Sequence, residues 1–271
     1  MASDFKLDAY LRRIGFIGAP RPDLETLTQA HARHVDAIAF EALDPFAGRP
    51  VSLAMDDLQA KLVASRRGGY CFEQNALFRG ALTAIGFEVE SLAGRVTWMS
   101  PPDAPLGPRT HMLLRVTLPE GVFLADVGFG AHLLDAPLAF LPDTVQRSPA
   151  ATWRIETLGE RYGLAVLTPE GWRRAYVFDL QPQLDSDYAL GNFFTANSHE
   201  APFRRTLILE RLTRTCRINL VDLSLRRRWR DGRAEERAIA DPADLAQVFD
   251  KDFDIVPPIP PEEIFARLAR L

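Results

Sequence analysis

Apolar residues recur every three or four positions in the first third of the chain, then every second position in short bursts. Asp23-Leu24-Glu25-Thr26-Leu27 opens a stretch in which Leu24, Leu27, Ala30, Val35 and Ile38 share one helical face. Pro22 just before it and acids in its first turn are start signals. A shorter helix is predicted from Asp56 to about Ser65, carrying Leu58 and Leu62. A third follows Cys71 through Ala76, Leu77, Leu82 and Ile85, with Gly86 suited to close it. From about Phe87 the texture changes to strand-like runs: Val89 to Val96, His111 to Leu118, Val122 to Val127, Trp153 to Thr157, Leu164 to Leu167 and Trp172 to Phe178. Gly, Pro and Asp separate them, as in an antiparallel sheet or barrel. Pro101 to Pro108 reads as a rigid exposed loop. After Leu190 the pattern is mixed. Leu207 to Leu212 and Cys216 to Leu225 read as strands, Asp231-Gly232 as a hairpin turn, and Pro242 to Phe249 and Pro261 to Leu271 as helices. The chain is therefore mixed α/β (α+β), divided near residues 86 and 190, with no internal repeat.

Bulk properties narrow the function classes. At 271 residues there is enough chain for one large core or two to three small domains. The formal net charge of −4 makes no electrostatic case for nucleic acid or an anionic membrane as main partner. Two cysteines, Cys71 and Cys216, exclude a disulfide-rich scaffold and a four-cysteine zinc site. The segment Met1 to Asp8 is charged and lacks an apolar signal core, and no apolar run is long enough to span a bilayer. A soluble, cytoplasmic protein in a reducing compartment is expected, with its thiols free for chemistry.

The most informative run is Arg67-Gly68-Gly69-Tyr70-Cys71-Phe72-Glu73-Gln74-Asn75. Two glycines allow a tight turn and close backbone approach. Where that turn becomes a helix, the Cys71 sulfur lies near the positive end of the helix dipole, which favours the reactive thiolate. A nucleophilic thiolate needs a base, and the base needs an orienter. Among five histidines, His111 is best placed, because it opens the run His111 to Leu118. Pro119-Glu120-Gly121 then turns the chain into Val122 to Asp126. If Leu118 faces Gly121 across a two-residue loop, Asp126 faces Leu113, one diagonal step from His111 on the same face. That is roughly 7–8 Å between backbones, within side-chain reach. A four-residue loop keeps this parity. A three-residue loop would put Asp126 on the opposite face unless a bulge restores it. The sequence permits a His111–Asp126 contact without forcing it.

Other candidates favour plainer readings. His31 and His34, three apart on a helix, suit a solvated face better than a metal site, since no carboxylate or cysteine joins them. Cys216 reads as core. Arg226-Arg227-Arg228-Trp229-Arg230 reads as an exposed edge strand guarded by charge rather than a contact for a ligand's phosphates. Phe193-Phe194 reads as core rather than a substrate wall. Arg67 and Glu41 are a candidate ion pair on charge alone.

Three of these runs, Arg67 to Asn75, Thr110-His111-Met112-Leu113-Leu114 and Asp126-Val127-Gly128-Phe129-Gly130, resemble the arylamine N-acetyltransferase family. Its Arg-Gly-Gly-hydrophobic-Cys motif, sheet histidine and Asp-Val-Gly-Phe-Gly motif occur in the same order. Ala39-Phe40-Glu41-Ala42-Leu43 looks like its Pro-Phe-Glu-Asn-Leu segment, with alanine at two positions. Asn192-Phe193-Phe194-Thr195 and Pro202-Phe203 look like the segment joining its second and third domains. The resemblance implies a helical bundle (1–86), a central antiparallel β-barrel (87–190) and an interdomain segment with an α/β lid (191–271). It implies a cysteine-protease-like Cys-His-Asp triad of Cys71, His111 and Asp126. It also implies ping-pong acetyl transfer, with acetyl-CoA as cosubstrate and no metal, to a small aromatic amine, hydrazine or hydroxylamine. Phe40 and Phe129 would then line the acceptor pocket, and Thr110 and Phe203 would lie near the coenzyme. The same scaffold and thiol would also suit an amide synthase, a transglutaminase-like hydrolase or a catalytically silent binding module.

Overall fold

A computed structural model describes residues 5–98, 100–101 and 103–270. Residues 1–4 of the N-terminal segment, Pro102 of the proline loop and Leu271 of the last predicted helix lie outside the described residues. The helical third contains α1 (Leu7–Arg13), α2 (Leu24–Ala37), the two-residue strand β1 (Phe40–Glu41), α3 (Leu43–Phe46), α4 (Met55–Leu58) and α5 (Cys71–Ile85). α2 starts where its side-chain chemistry dictates: Asp23 caps it by accepting from the Thr26 N–H at 2.8 Å. α5 ends at Gly86, whose φ of 106° is the left-handed conformation that glycine adopts without strain. The helix predicted from Asp56 to Ser65 is a different object. α4 gives way to a π-helical turn, Gln59–Ala64, after one turn.

The middle of the chain forms β2 (Glu88–Val96), β3 (His111–Leu118), β4 (Gly121–Ala125), β5 (Leu138–Ala139), β6 (Val145–Arg147), β7 (Thr152–Leu158), β8 (Arg161–Thr168) and β9 (Gly171–Phe178). They make one antiparallel sheet in the order β5-β4-β3-β2-β9-β8-β7-β6. The two edge strands are neighbours in sequence, and Gln146 Nε2 of β6 donates to the Ala139 carbonyl of β5 at 2.8 Å. The sheet thus curls into a nearly closed barrel around Trp153, Tyr176, Phe178, Leu113 and Leu164. In the β3–β4 hairpin, Leu118 faces Gly121 and Leu114 faces Ala125, which is the two-residue-loop register. Its parity carries Asp126 to the His111 face.

α6 (Asp185–Asn197) follows, and the change of texture near Leu190 lies inside it. Phe193 is 68 % exposed on this helix and Phe194 is half-buried, so the reading of both as core is corrected. The last part contains β10 (Ile208–Leu212), β11 (Cys216–Val221), β12 (Ser224–Trp229), β13 (Ala234–Ala238), α7 (Pro242–Val248) and α8 (Pro261–Leu268). The run read as one strand from Cys216 to Leu225 is a hairpin, turned at Asp222 in a positive-φ conformation (52°). The Arg226–Arg230 stretch is consequently no edge. β12 pairs on both sides, and β13 takes the outer position, where Glu236 faces Arg226 and Glu235 faces Arg227. Cys216 is buried in this part of the core, as expected.

The five-stranded sheet runs β1-β10-β11-β12-β13, so its far edge is Phe40–Glu41 from the helical third. On its other side, Phe40 forms a parallel bridge with Gly69, and the Glu41 N–H donates to the Gly69 carbonyl at 3.0 Å. β1 therefore lies between the C-terminal sheet and the Gly-rich turn before Cys71. The approach is tight, and a Cβ on Gly68 would run into the Ala39 carbonyl oxygen.

Gly68→Ala should therefore destabilise the protein by about 1–3 kcal/mol, the cost of overpacking against atoms that cannot yield. Gly107→Ala, with nothing within 4 Å of an added Cβ, should stay within about 0.5 kcal/mol of the parent. Denaturant unfolding of the two variants checks the difference.

Candidate active site

Cys71 is the first residue of α5, and its position follows from the turn before it. Tyr70 is extended, and its N–H donates to Glu73 Oε2 at 3.1 Å, so the carboxylate at the helix's third position folds back over its start. Glu73 is in turn held by Lys61 Nζ at 2.6 Å, and Lys61 also reaches Asp44 Oδ2 at 2.6 Å. Arg67 completes the cluster, 2.7 Å from Glu41 Oε1 and 3.0 Å from Asp44 Oδ2. Opposite charge was the only sequence signal for the Arg67–Glu41 pair, and the pair is present. Burial pushes Glu73 up to about 7 against the pull of Lys61, and burial works the other way on Lys61, which its carboxylate neighbours hold above its ordinary value. Charged groups this poorly hydrated persist only when paired on several sides.

Cys71 is almost wholly enclosed, at 4 % exposure, and its sulfur lies 3.5 Å from the Thr110 carbonyl oxygen. His111, the first residue of β3, lies close enough to Cys71 for the cysteine to help raise its basicity. The His111 Nε2 is 2.7 Å from Asp126 Oδ2, so Nδ1 is the ring nitrogen that this contact leaves unused. Asp126 leaves the end of β4 fully buried. Its Oδ2 also accepts from Tyr176 Oη at 2.9 Å. Its Oδ1 accepts from Asn75 Nδ2 and from the Gly128 N–H, each at 2.9 Å. Burial alone would raise this carboxyl, yet the charge of His111 and these hydrogen bonds hold it below its ordinary value. Burial alone would likewise lower His111. The charge and hydrogen bond of Asp126, joined by Cys71, reverse that and raise it to about 10. The arrangement can keep an imidazolium beside the sulfur, which is what an ionised cysteine requires.

Aromatic side chains close the site. Phe129 stands edge-on to His111 with centroids 5.4 Å apart, and Tyr176 lies 4.6 Å from the same ring. Phe40 and Phe203 pack against each other at 6.0 Å, with Tyr70 5.7 Å from Phe203. At Gly130 and Gly128 the loop after β4 passes close to these groups. A Cβ on Gly130 would overlap the Phe40 ring, and one on Gly128 would sit 2.8 Å from Cys71 Cα. Thr110 borders a cavity of about 370 Å³ shared with Phe72, Ala93, Tyr188, Leu190 and Phe194. Phe40, Phe129 and Phe203 are not part of that lining.

Sequence reasoning missed three residues here. Asn75 lies four positions after Cys71 and so on the same helical face, a signal that was available. Tyr176 arrives on β9 through its pairing with β2, which no local pattern discloses. His31 was read with His34 as a solvated face, and that is corrected: both are fully buried. His34 bridges Tyr10 Oη (2.8 Å) and Gln74 Oε1 (2.7 Å), and burial lowers it to about 3. Among the described residues, no cluster of three or more His, Cys, Asp or Glu side chains is placed to hold a metal ion. No helix among them is long and apolar enough to cross a membrane.

Comparison with known proteins supplies independent findings. The N-acetyltransferase family model matches residues 23–258. An arylamine N-acetyltransferase of Mycolicibacterium smegmatis is 41 % identical over 81 % of this chain and 80 % of its own. One from Escherichia coli K12 is 38 % identical over 92 % of this chain and 88 % of its own. The structure of the Mycobacterium marinum arylamine N-acetyltransferase in complex with CoA superposes with a TM-score of 0.92 at 33 % identity, covering 98 % of this chain and 99 % of the other.

The titration of His111 makes the electrostatics of the site measurable. In the parent its NMR-monitored midpoint should lie near 10. In Asp126→Asn, burial prevails and the midpoint should fall below the ordinary histidine value of about 6.5. Because the folded value is raised, the stabilisation it brings is complete below about 6.5 and is lost as pH rises through that window to the folded value. The denaturant midpoint of the parent should fall across it more steeply than that of Asp126→Asn.

Proposed function

The chain belongs to the arylamine N-acetyltransferase family, and on that premise we propose that Cys71 carries the acetyl group, His111 moves the protons and Asp126 orients His111. The observation that carries this assignment is the 2.7 Å contact of His111 with a fully buried carboxylate, with His111 raised to about 10 by Asp126 and, to a lesser degree, Cys71. In the first half reaction the Cys71 thiolate attacks the acetyl-CoA carbonyl carbon. The backbone N–H of Phe72, in the first turn of α5, is our candidate donor to the oxyanion. As the carbon–sulfur bond to the coenzyme breaks, its thiolate takes the His111 proton and leaves as the free thiol. One thioester has replaced another, so the step is close to isoenergetic.

In the second half reaction an aromatic amine, hydrazine or hydroxylamine enters. Such nitrogens are weakly basic and arrive unprotonated. The nitrogen attacks the acetyl-Cys71 carbonyl, His111 takes the proton it sheds, and Cys71 departs as a thiolate beside the new imidazolium. The pair that began the cycle is restored. Phe129, edge-on to His111, and Phe40 are assigned to the acceptor's aromatic ring, and Thr110 and Phe203 to the coenzyme side. The near-complete burial of Cys71 supports transfer over hydrolysis, since the acetyl-enzyme must be kept from water. We divide the labour accordingly: residues 1–86 supply the nucleophile, 87–190 the histidine and aspartate, and 191–271 the lid. A cytoplasmic setting would keep Cys71 reduced between turnovers.

Incubation with acetyl-CoA alone should add one acetyl group, mapped by mass spectrometry to Cys71, with stoichiometric release of coenzyme A. Cys71→Ala should lose both the label and arylamine turnover. Asp126→Asn should lower kcat by about 10³- to 10⁴-fold, the scale for losing the orienter of such a triad. Acetate release without an amine, at a rate matching amine-dependent turnover, would mark a hydrolase instead.

A further inference from the structure

The backbone around Asp126 presents a problem that the triad alone does not solve. β4 ends its pairing with β3 at Ala125, so the next N–H groups leave the ladder inside the protein. A buried N–H without a partner costs about 1–3 kcal/mol, and here it would also free the chain that aims the carboxylate. Side chains take over from the ladder. The Gly128 N–H donates to the Asp126 carboxylate at 2.9 Å, and the Val127 N–H to Asn75 Oδ1 at 3.1 Å. The Asp126 N–H itself donates to His31 Nε2 at 3.3 Å.

His31 comes from the middle of α2, and its ring is fully buried, edge-on to Phe78 with centroids 5.7 Å apart. To accept from an amide, Nε2 must offer its lone pair, which puts the proton on Nδ1 and makes the ring neutral. The surroundings enforce that state. Burial lowers His31 to about 4, with the carboxylates of Asp126 and Asp135 opposing. His34, on the same helix face, is also neutral. The arrangement carries a cost that a purely structural apolar residue would avoid, because Nδ1 has no hydrogen-bond partner among the described residues. A leucine or methionine would fill this space beside Phe78 without that orphan. What a histidine adds is the acceptor at Nε2.

We propose that His31 is a positioning residue for acyl transfer: its neutral imidazole holds the Asp126 amide and so fixes the angle at which the carboxylate meets His111. The proposal rests on the assignment of Asp126 as orienter. It acts through two bonds in series, His31 to the amide and the carboxylate to His111, and touches neither substrate nor sulfur. Its loss should leave acetyl-CoA binding intact while the base and its orienter lose alignment.

The test pairs two side chains of similar length. His31→Gln keeps an acceptor at the reach of Nε2, and His31→Met fills the space with at most a weak one. Single-turnover acetylation by acetyl-CoA, read by intact mass, and the NMR titration of His111 are measured in both. His31→Met should acetylate about 10- to 100-fold more slowly at unchanged KM for acetyl-CoA, the scale of small misplacements at a reacting centre. Its His111 midpoint should fall by about one pH unit as the charge contact loosens. His31→Gln should stay within about threefold of the parent, well inside that scale. Parent-like rate and His111 midpoint in His31→Met would overturn the proposal, and so would a folded His31→Gln that falls as far as His31→Met. Should His31→Met fail to fold, His31→Gln decides alone: a loss of about tenfold or more overturns the proposal, and retention with an unmoved His111 midpoint supports it. If the parent takes no acetyl group at Cys71, it is the catalytic assignment that fails. The His111 titration still reports on His31.

Discussion

A carboxylate with no exposed surface must remain charged for this site to work, and the architecture is arranged around meeting that demand. Asp126 receives His111 and Tyr176 on one oxygen, and Asn75 and Gly128 on the other. These donors come from β3, β9, α5 and the loop after β4. The helical part, the barrel strands and the loop after β4 are tied together by one buried carboxylate. Remove the charge and His111 loses the field that outweighs its burial.

The reach of sequence reading follows from the same physics. The β3–β4 register was legible because a two-residue loop sets parity, and parity alone decides whether Asp126 and His111 share a face. The start of α5 was legible because Gly68, Gly69 and Cys71 mark a turn becoming a helix. The Asn75 contact lies one helical turn from the cysteine and could have been read the same way. Other contacts had no local trace. Tyr176 depends on the long-range pairing of β9 with β2. The burial of His31 and His34 depends on what packs against α2: both rings lie edge-on to Phe78 of α5, and His34 also meets Tyr10 of α1. A polar residue on a helix looks solvated until its partners are known, and those partners are 40 residues or more from their targets in two of the cases here.

The errors in the last third have a common origin. A run of alternating residues from Cys216 to Leu225 contains its own turn, because Asp222 tolerates a left-handed conformation that glycine usually marks. Splitting that run moves the arginine-rich stretch from the sheet edge to its interior, where Glu235 and Glu236 of β13 face it. Charge on a strand signals an edge only when nothing complementary follows in the chain.

The two residues of β1 have a consequence for how this chain can be divided. They belong by sequence to the helical part, hydrogen-bond as the outermost strand of the C-terminal sheet, and lean on the turn before Cys71. A fragment ending before β10 would strip Phe40–Glu41 of their antiparallel neighbour and leave the cysteine's scaffold without its backing. The C-terminal portion is therefore no detachable module. A break in the chain between β1 and β10 would separate Cys71 from the strand that shapes its cradle.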